Sequence, residues 1–306
     1  MTLFSILGIG AMGGLIAGQF CRYQCPITLL LKNKHQLITY KDSGLTLIHP
    51  HERFTYFPPA IGINTIQGEI NYIIICVKIY DVMDVLNTIK NKLTKNSVII
   101  LIYNGLGLGE EIKKAYPQLR IILGISTLSA YYESQFTVKC FMGGKLYLGE
   151  LLGDFTENEI NLIKSTFKKV KIPFLWKRDI NRMAWKKFAI NCSINILTVL
   201  FSCKNGDLLK QPELLEKVTR EVSLVLKAYG LRISPRALLK DVINLLTLTS
   251  NSYSSTIQDV RRSKRTELPY LNSYLVKLAK QKNIPVELNL KLIKEFDRVT
   301  QSTSLS

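Results

Sequence analysis

Short apolar runs separated by glycines and polar turns fill the first half of the chain. Leu3 to Gly8 is such a run and predicts a buried parallel strand. Gly13 to Arg22 has helical spacing, and Pro26 to Leu31 (PITLLL) predicts a second buried strand. Residues 32–68 are mixed, with His and Pro clusters, and predict a hairpin. Asn71 to Val77 (NYIIICV) predicts another buried strand, followed by a helix through about Lys92. Ser97 to Tyr103 (SVIILIY) is a strand ending at Asn104-Gly105, Glu110 to Tyr116 a short helix and Arg120 to Ile125 a further strand. Phe136 to Gly149 alternates around Gly143-Gly144, which predicts an antiparallel hairpin.

The pattern changes after about residue 155. Glu157 to Lys169 is helical, and Thr156 with Glu159 fits a capping box at its start. Lys171 to Trp176 reads as a last strand. From Ile180 onward the periodicity is helical over 180–202, 211–229, 235–249, 254–265, 269–283 and 287–301. Asp179 and Ser234 stand where N-caps belong, Pro235 in a first turn and Gly230 at a C-terminal stop. The β–α alternation followed by helices defines the expected fold class: an N-terminal α/β domain with a doubly wound sheet (residues 1–175), which the resemblance described below makes Rossmann-type, and an all-helical C-terminal domain (176–306).

Composition narrows the picture. With 47% hydrophobic and 21% charged residues among 306, disordered and low-complexity classes are excluded. Lys+Arg 41 against Asp+Glu 23 gives a net charge of +18, which favours an anionic partner without choosing among nucleic acid, an acidic membrane surface and a phosphorylated small molecule. The first 21 residues carry no charge, and Gly10/Gly14 and Gly14/Gly18 have the GxxxG spacing of membrane helices. So many glycines make a poor isolated helix, and strand–turn–helix explains the same residues better. The six cysteines form no CxxC pair and no zinc pattern, so free thiols, no metal and a cytoplasmic location are expected.

Candidate chemistry begins at Gly8-Ile9-Gly10-Ala11-Met12-Gly13. Gly8 permits a tight turn, Gly10 lets a pyrophosphate approach the backbone, and Gly13 allows close helix–strand packing. The helix N-terminus then offers N–H groups to phosphates. The second strand ends in Leu31-Lys32-Asn33-Lys34, with no carboxylate for a ribose hydroxyl. Lys32 would attract a 2′-phosphate, which favours NADP(H). Lys78 and Asn104 follow two apolar strands in equivalent positions, where ligands of such folds bind. Lys187, Asn191 and Asn195 are spaced i, i+4, i+8 and share one face of an otherwise apolar helix. A polar substrate would partner these groups; a wet groove on an ordinary helix is the plain alternative.

Gly8-x-Gly10-x-x-Gly13, Lys78, Asn104-Gly105-Leu106-Gly107, Lys187-x-x-x-Asn191-x-x-x-Asn195, Asn205-Gly206 and Ser255-x-x-Gln258-Asp259 with Thr266-Glu267 match, in order and approximate spacing, the ketopantoate reductases. The chain resembles this family over almost its whole length. The resemblance implies NADPH-dependent reduction of 2-dehydropantoate in pantothenate and coenzyme A synthesis, with the site in a cleft between the domains. It implies Lys187 as proton donor and Asn191, Asn195, Asn205 and Ser255 as substrate holders. Asn104 would lie where nicotinamide meets substrate, and Glu267 near the nicotinamide ribose and the reacting centre. Lys32 and Lys78 would face the 2′-phosphate region, and Ala130 would line the cofactor cleft. Two positions depart: Lys32 stands where many members carry Arg, and Ser252 where an Asn often binds substrate.

On the residues alone, Glu267 could equally be a surface ion pair among Arg261, Arg262, Lys264 and Arg265. A related 2-oxoacid or β-hydroxyacid reductase is the nearest alternative function. A nucleic-acid-binding or redox-sensing protein on a dinucleotide fold is the alternative of another class, although no helix-turn-helix, stacking platform or zinc module is present. The expected partner is a small 2-oxo acid, with no nucleic acid and no membrane; a homodimer is left open.

Overall fold

The structure, a computed structural model, describes residues 3–141 and 143–303. The chain divides into two compact units, 1–103 with 108–181 and 104–107 with 182–306. The main division falls at 181/182. Lys177 N donates to Leu148 O at 2.7 Å and Ile180 packs against Gly149, so the segment after the last strand stays with the first unit.

The first unit runs β1 (Phe4–Leu7), α1 (Ala11–Arg22), β2 (Ile27–Leu31), α2 (Lys34–Ser43), β3 (Leu45–Ile48), β4 (Arg53–Tyr56), β5 (Ala60–Gly62), β6 (Tyr72–Ile75), α3 (Val82–Ile89), β7 (Val98–Ile102), α4 (Leu108–Ala115), β8 (Ile121–Ser126), β9 (Ala130–Ser134), β10 (Thr137–Cys140), β11 (Leu146–Leu152), α5 (Glu157–Lys169) and β12 (Phe174–Trp176). Eight strands form one sheet in the order β12-β11-β8-β7-β6-β1-β2-β5. The strands from β8 to β5 are parallel, and β11 runs antiparallel to β8. β1 has β2 on one side and β6 on the other, so the strand order reverses beside it. That topological switch point is where open α/β sheets take ligands.

A second sheet, β4-β3-β10-β9, lies against α1. A Cβ on Gly14 would come 2.5 Å from Val138 Cγ2, and one on Gly18 2.9 Å from Leu47 Cδ2. The GxxxG spacing therefore serves helix-on-sheet packing. Among the described residues no helix is long and apolar enough to cross a membrane.

Two sequence expectations need correction here. Residues 32–68 hold the expected hairpin, β3 with β4, but also the helix α2. Only Tyr40 of α2 is buried, so apolar periodicity gives no signal; the helix starts because Asn33 Oδ1 accepts from Gln36 N at 2.9 Å. Phe136 to Gly149 is not a hairpin. β10 pairs with β9 and β3, whereas β11 pairs with β8 and β12. Gly143 and Gly144, both at positive φ, carry the chain from one sheet to the other, and a Cβ on Gly144 would overlap the Thr127 carbonyl. The capping box of α5 is present as expected.

The second unit contains α6 (Ile180–Leu200) from Arg182 onward, α7 (Pro212–Ala228), α8 (Pro235–Leu248), α9 (Ser255–Arg261), α10 (Asn272–Gln281) and α11 (Glu287–Thr303). Its core centres on α6, with Phe188, Ala189, Cys192, Ile196 and Leu197 buried among residues of the other helices. Ser234 caps α8, its Oγ accepting from Ala237 N. α9 stops at Arg261, short of the expected 265. Arg262 N and Lys264 N both donate to Asp259 O, and Ser263 turns into the left-handed region, so the chain leaves the helix. All six cysteines are free thiols.

Candidate active site

Lys187, Asn191 and Asn195 lie on successive turns of α6, as their spacing requires. Asn195 is buried, whereas Lys187 and Asn191 are partly exposed. Lys187 keeps some solvent contact, yet protein surrounds it densely enough that desolvation pushes its pKa from 10.5 down to about 8. The charge of Glu267 pulls it back upward. The amine is thus protonated at neutral pH and parts readily with its proton, as a general acid must. Lys186 differs: it makes a half-exposed ion pair with Asp241 at 2.8 Å.

Glu267 is not on α9 but just before a short helical turn, Leu268–Tyr270, and is 3% exposed. It is therefore no surface group. Asn104 Nδ2 donates to Glu267 Oε2 at 3.3 Å. The loop carrying Asn104 is clasped at two further points. Leu106 N donates to Tyr270 O at 3.1 Å, and Gly107, at φ +98°, lies under the Tyr274 ring, where a Cβ would come 2.7 Å from Cε2. These contacts explain why residues 104–107 group with the helical unit.

The segment 249–255 gathers the other polar groups. Thr198 Oγ1 gives its hydrogen to Asn195 O at 2.7 Å and accepts from Ser254 Oγ at 2.6 Å, with both hydroxyls buried. This pair fastens the start of α9, where the exposed Ser255 is the first residue, to α6 one turn beyond Asn195. Asn205 N donates to Ser252 O, and Asn205 Nδ2 to Thr249 Oγ1 at 2.9 Å. Thr249 Oγ1 gives its own hydrogen to Leu245 O, so toward Asn205 it only accepts. The amide is thereby oriented, and Asn205 Oδ1 is left buried without a hydrogen-bond partner. Thr198, Ser254 and Thr249 were not candidates from the sequence. Ser254 has a cap-like place before α9, but Thr198 and Thr249 have the spacing of ordinary helix residues.

In the first unit, Gly8 has φ +89°, and its Cβ would lie 2.7 Å from the Cys76 carbonyl carbon. A Cβ on Gly13 would overlap the Gly8 carbonyl oxygen. Packing alone requires both glycines. Gly10 is different: nothing lies within 4 Å of where its Cβ would stand. The fold has no need of glycine there, and the open space borders the first-turn N–H groups of Ala11, Met12 and Gly13, with no acidic side chain in that turn. Ile9 packs at the edge of the core beneath this turn. The space fits a phosphate that approaches the backbone.

The pairings Leu7↔Leu30 and Leu7↔Ile75 bring Lys32 and Lys78 to the carboxyl ends of the two strands flanking β1. Lys32 is exposed, and its N–H donates to Gln36 Oε1 at the start of α2. Lys78 is partly buried and precedes a short helical turn. Ala130 opens β9 and packs with Met12 against the cluster of Leu15, Leu47, Val138 and Cys140.

A parallel sheet with a glycine turn at its switch point, in one chain with a helical unit whose lysine of lowered pKa stands among amides, fits one class: the dinucleotide-fold oxidoreductases. Within it the chain belongs to the ketopantoate reductase family: residues 4–153 match ketopantoate reductase PanE/ApbA and residues 179–299 its C-terminal domain. The 2-dehydropantoate 2-reductase of Yersinia pestis is 29% identical over 76% of this chain and 75% of that protein. That of Salmonella typhi is 26% identical over 96% and 94%. Among solved structures, a D-mandelate dehydrogenase with NADH and anilino(oxo)acetate superposes at TM-score 0.89 and 18% identity, covering 98% of this chain and 99% of that one. A PanE/ApbA family ketopantoate reductase from Ralstonia eutropha JMP134 superposes at 0.87 and 20%, with the same coverage.

Proposed function

We propose that the protein reduces 2-dehydropantoate (ketopantoate) to pantoate with NADPH, in the cytoplasm, as a step of pantothenate and coenzyme A synthesis. The observation that carries this reading is the Lys187–Asn191–Asn195 stripe, held in one unit with Asn104 and Glu267. Bound NADPH supplies the hydride. The Lys187 ammonium donates its proton to the carbonyl oxygen as negative charge develops there. Glu267 keeps that ammonium charged beforehand. Asn104, Asn191, Asn195 and Ser255 hold and orient the 2-oxo acid.

The unpaired oxygen of Asn205 supports a hydroxylated substrate. A buried acceptor needs a donor, which an alcohol provides and a ketone or carboxylate does not. Ketopantoate carries such a hydroxyl at C4. Its analogue without that group, 3,3-dimethyl-2-oxobutanoate, would leave the oxygen unpaired at about 1–3 kcal/mol, or roughly tenfold to a hundredfold. The test is initial-rate NADPH oxidation with both acids and an aromatic 2-oxo acid. The expected kcat/KM is at least about tenfold higher for ketopantoate. Preference for an acid without the hydroxyl would instead identify a related 2-oxoacid reductase.

For the cofactor, Lys32 favours NADPH over NADH, and Lys78 lies beyond the end of β6, on the other side of β1. Lys32→Ala should weaken NADPH by about tenfold and leave NADH nearly unchanged, because only NADPH has the 2′-phosphate. Equal weakening of both in fluorescence titrations would show that Lys32 does not read that phosphate.

A further inference from the structure

A chain of hydrogen-bonded polar groups, buried at Asn289 and Asn272, crosses the helical unit, and the reaction described above does not use it. It begins at Glu221 on α7. Glu221 Oε1 accepts from Leu288 N at 2.9 Å, and Oε2 from Asn289 N at 2.9 Å, so a neighbouring helix caps the first turn of α11. Glu221 Oε2 also accepts from Asn289 Nδ2 at 2.8 Å. Asn289 Oδ1 then accepts from Asn272 Nδ2 at 2.9 Å. The second hydrogen of that Nδ2 goes to the Cys192 carbonyl, on α6, at 2.8 Å.

A carboxylate only accepts, so Glu221 sets the direction of every bond in the chain. Asn289 must turn its nitrogen to Glu221 and its oxygen to Asn272. Asn272 must then turn its nitrogen to Cys192 and Asn289 together. Its own oxygen is left buried without a hydrogen-bond partner, in a residue that is 0% exposed. Such an atom is costly to bury, and an apolar residue of the same size would avoid that cost. A buried amide that makes two directed bonds and leaves its oxygen unpaired calls for an explanation.

The two ends of the chain supply one. Cys192 lies between Lys187 and Asn195 on α6. Asn272 follows Glu267 by five residues, through turns fixed by Tyr270 N to Glu267 O and Leu271 N to Leu268 O. Apolar packing around α6 is non-directional. A hydrogen bond to one chosen carbonyl of α6 sets its register.

We propose that Asn272, oriented by Asn289 and Glu221, is a positioning residue that holds Lys187 in register with Glu267 and Asn104. It touches neither substrate nor cofactor, and it rests on the reading of Lys187 as proton donor.

The test is the double variant Asn272→Leu/Asn289→Leu, which replaces both amides by apolar groups of similar size and leaves Glu221 its two backbone donors. The expected result is a Tm equal to or above the parent's, a kcat on ketopantoate lower by about tenfold to a hundredfold, and a KM for NADPH within about twofold. A purely structural network would do the reverse, lowering Tm and sparing kcat, and that result would overturn the proposal. Should the double variant not fold, Glu221→Gln decides. It loses one acceptor at the partly exposed end, and a several-fold fall in kcat in the folded protein is expected; parental kcat overturns the proposal. Lys187→Ala is measured alongside. If it retains turnover, the proton-donor reading fails. If it is inactive while the Leu/Leu variant turns over like the parent, only the positioning role fails.

Discussion

Lys187→Ala is expected to lower kcat on ketopantoate by roughly 10²–10⁴-fold, the usual worth of a positioned general acid. NADPH affinity should stay within about twofold, because the glycine turn, Lys32 and Lys78 belong to the other unit. The parent also has a pH signature. Lys187 must be protonated to donate, and its pKa is held near about 8, so kcat/KM should be level below that pH and fall above it. The fall should be absent from the residual activity of Lys187→Ala. Lys186→Ala removes only the half-exposed pair with Asp241, less than about 1 kcal/mol, and should leave both kcat and the pH profile unchanged. An inactive Lys186→Ala with an active Lys187→Ala would reverse the assignment of the helix face.

The second large effect separates two glycines three residues apart. Gly13→Ala puts a Cβ into the Gly8 carbonyl, and neither backbone can yield, so about 3 kcal/mol or more of stability should be lost. Gly10→Ala meets nothing within 4 Å and imposes no unusual φ, so its Tm should match the parent's. Yet, on the proposed reading, its methyl group would enter the space a pyrophosphate takes, and NADPH affinity should fall by at least about tenfold. Calorimetry and fluorescence titration on the two variants check this. Parental NADPH affinity in Gly10→Ala would mean that the turn is not a phosphate cradle.

Features governed by one stretch of chain were legible in the sequence. The glycine turn declares itself because each glycine follows a strand and opens a helix, and the stripe on α6 follows from 3.6-residue periodicity. α2 was not legible, since one buried residue in ten leaves no apolar face and an asparagine cap does the work. The segment around Gly143-Gly144 misled because a turn between two strands of one sheet and a passage between two sheets ask for the same residues. Alternation shows which faces are buried, but not which partner a strand chooses. Contacts distant in sequence were the least legible. Asn104 and Glu267 are 163 residues apart, and only the family resemblance named both. Nothing marked Asn272 and Asn289, because an asparagine in a first helical turn looks like any polar residue near a helix start.

The central claim is hydride delivery to the ketone carbon of ketopantoate. It is tested with NADPH carrying deuterium at both C4 positions of the nicotinamide, incubated with ketopantoate and the purified protein, and with mass spectrometry of the product. Pantoate carrying deuterium at C2 is expected, formed in step with NADPH consumption and almost abolished by Lys187→Ala. NADPH consumed without labelled pantoate, or ketopantoate left unchanged beside another 2-oxo acid that is reduced and labelled, would contradict it.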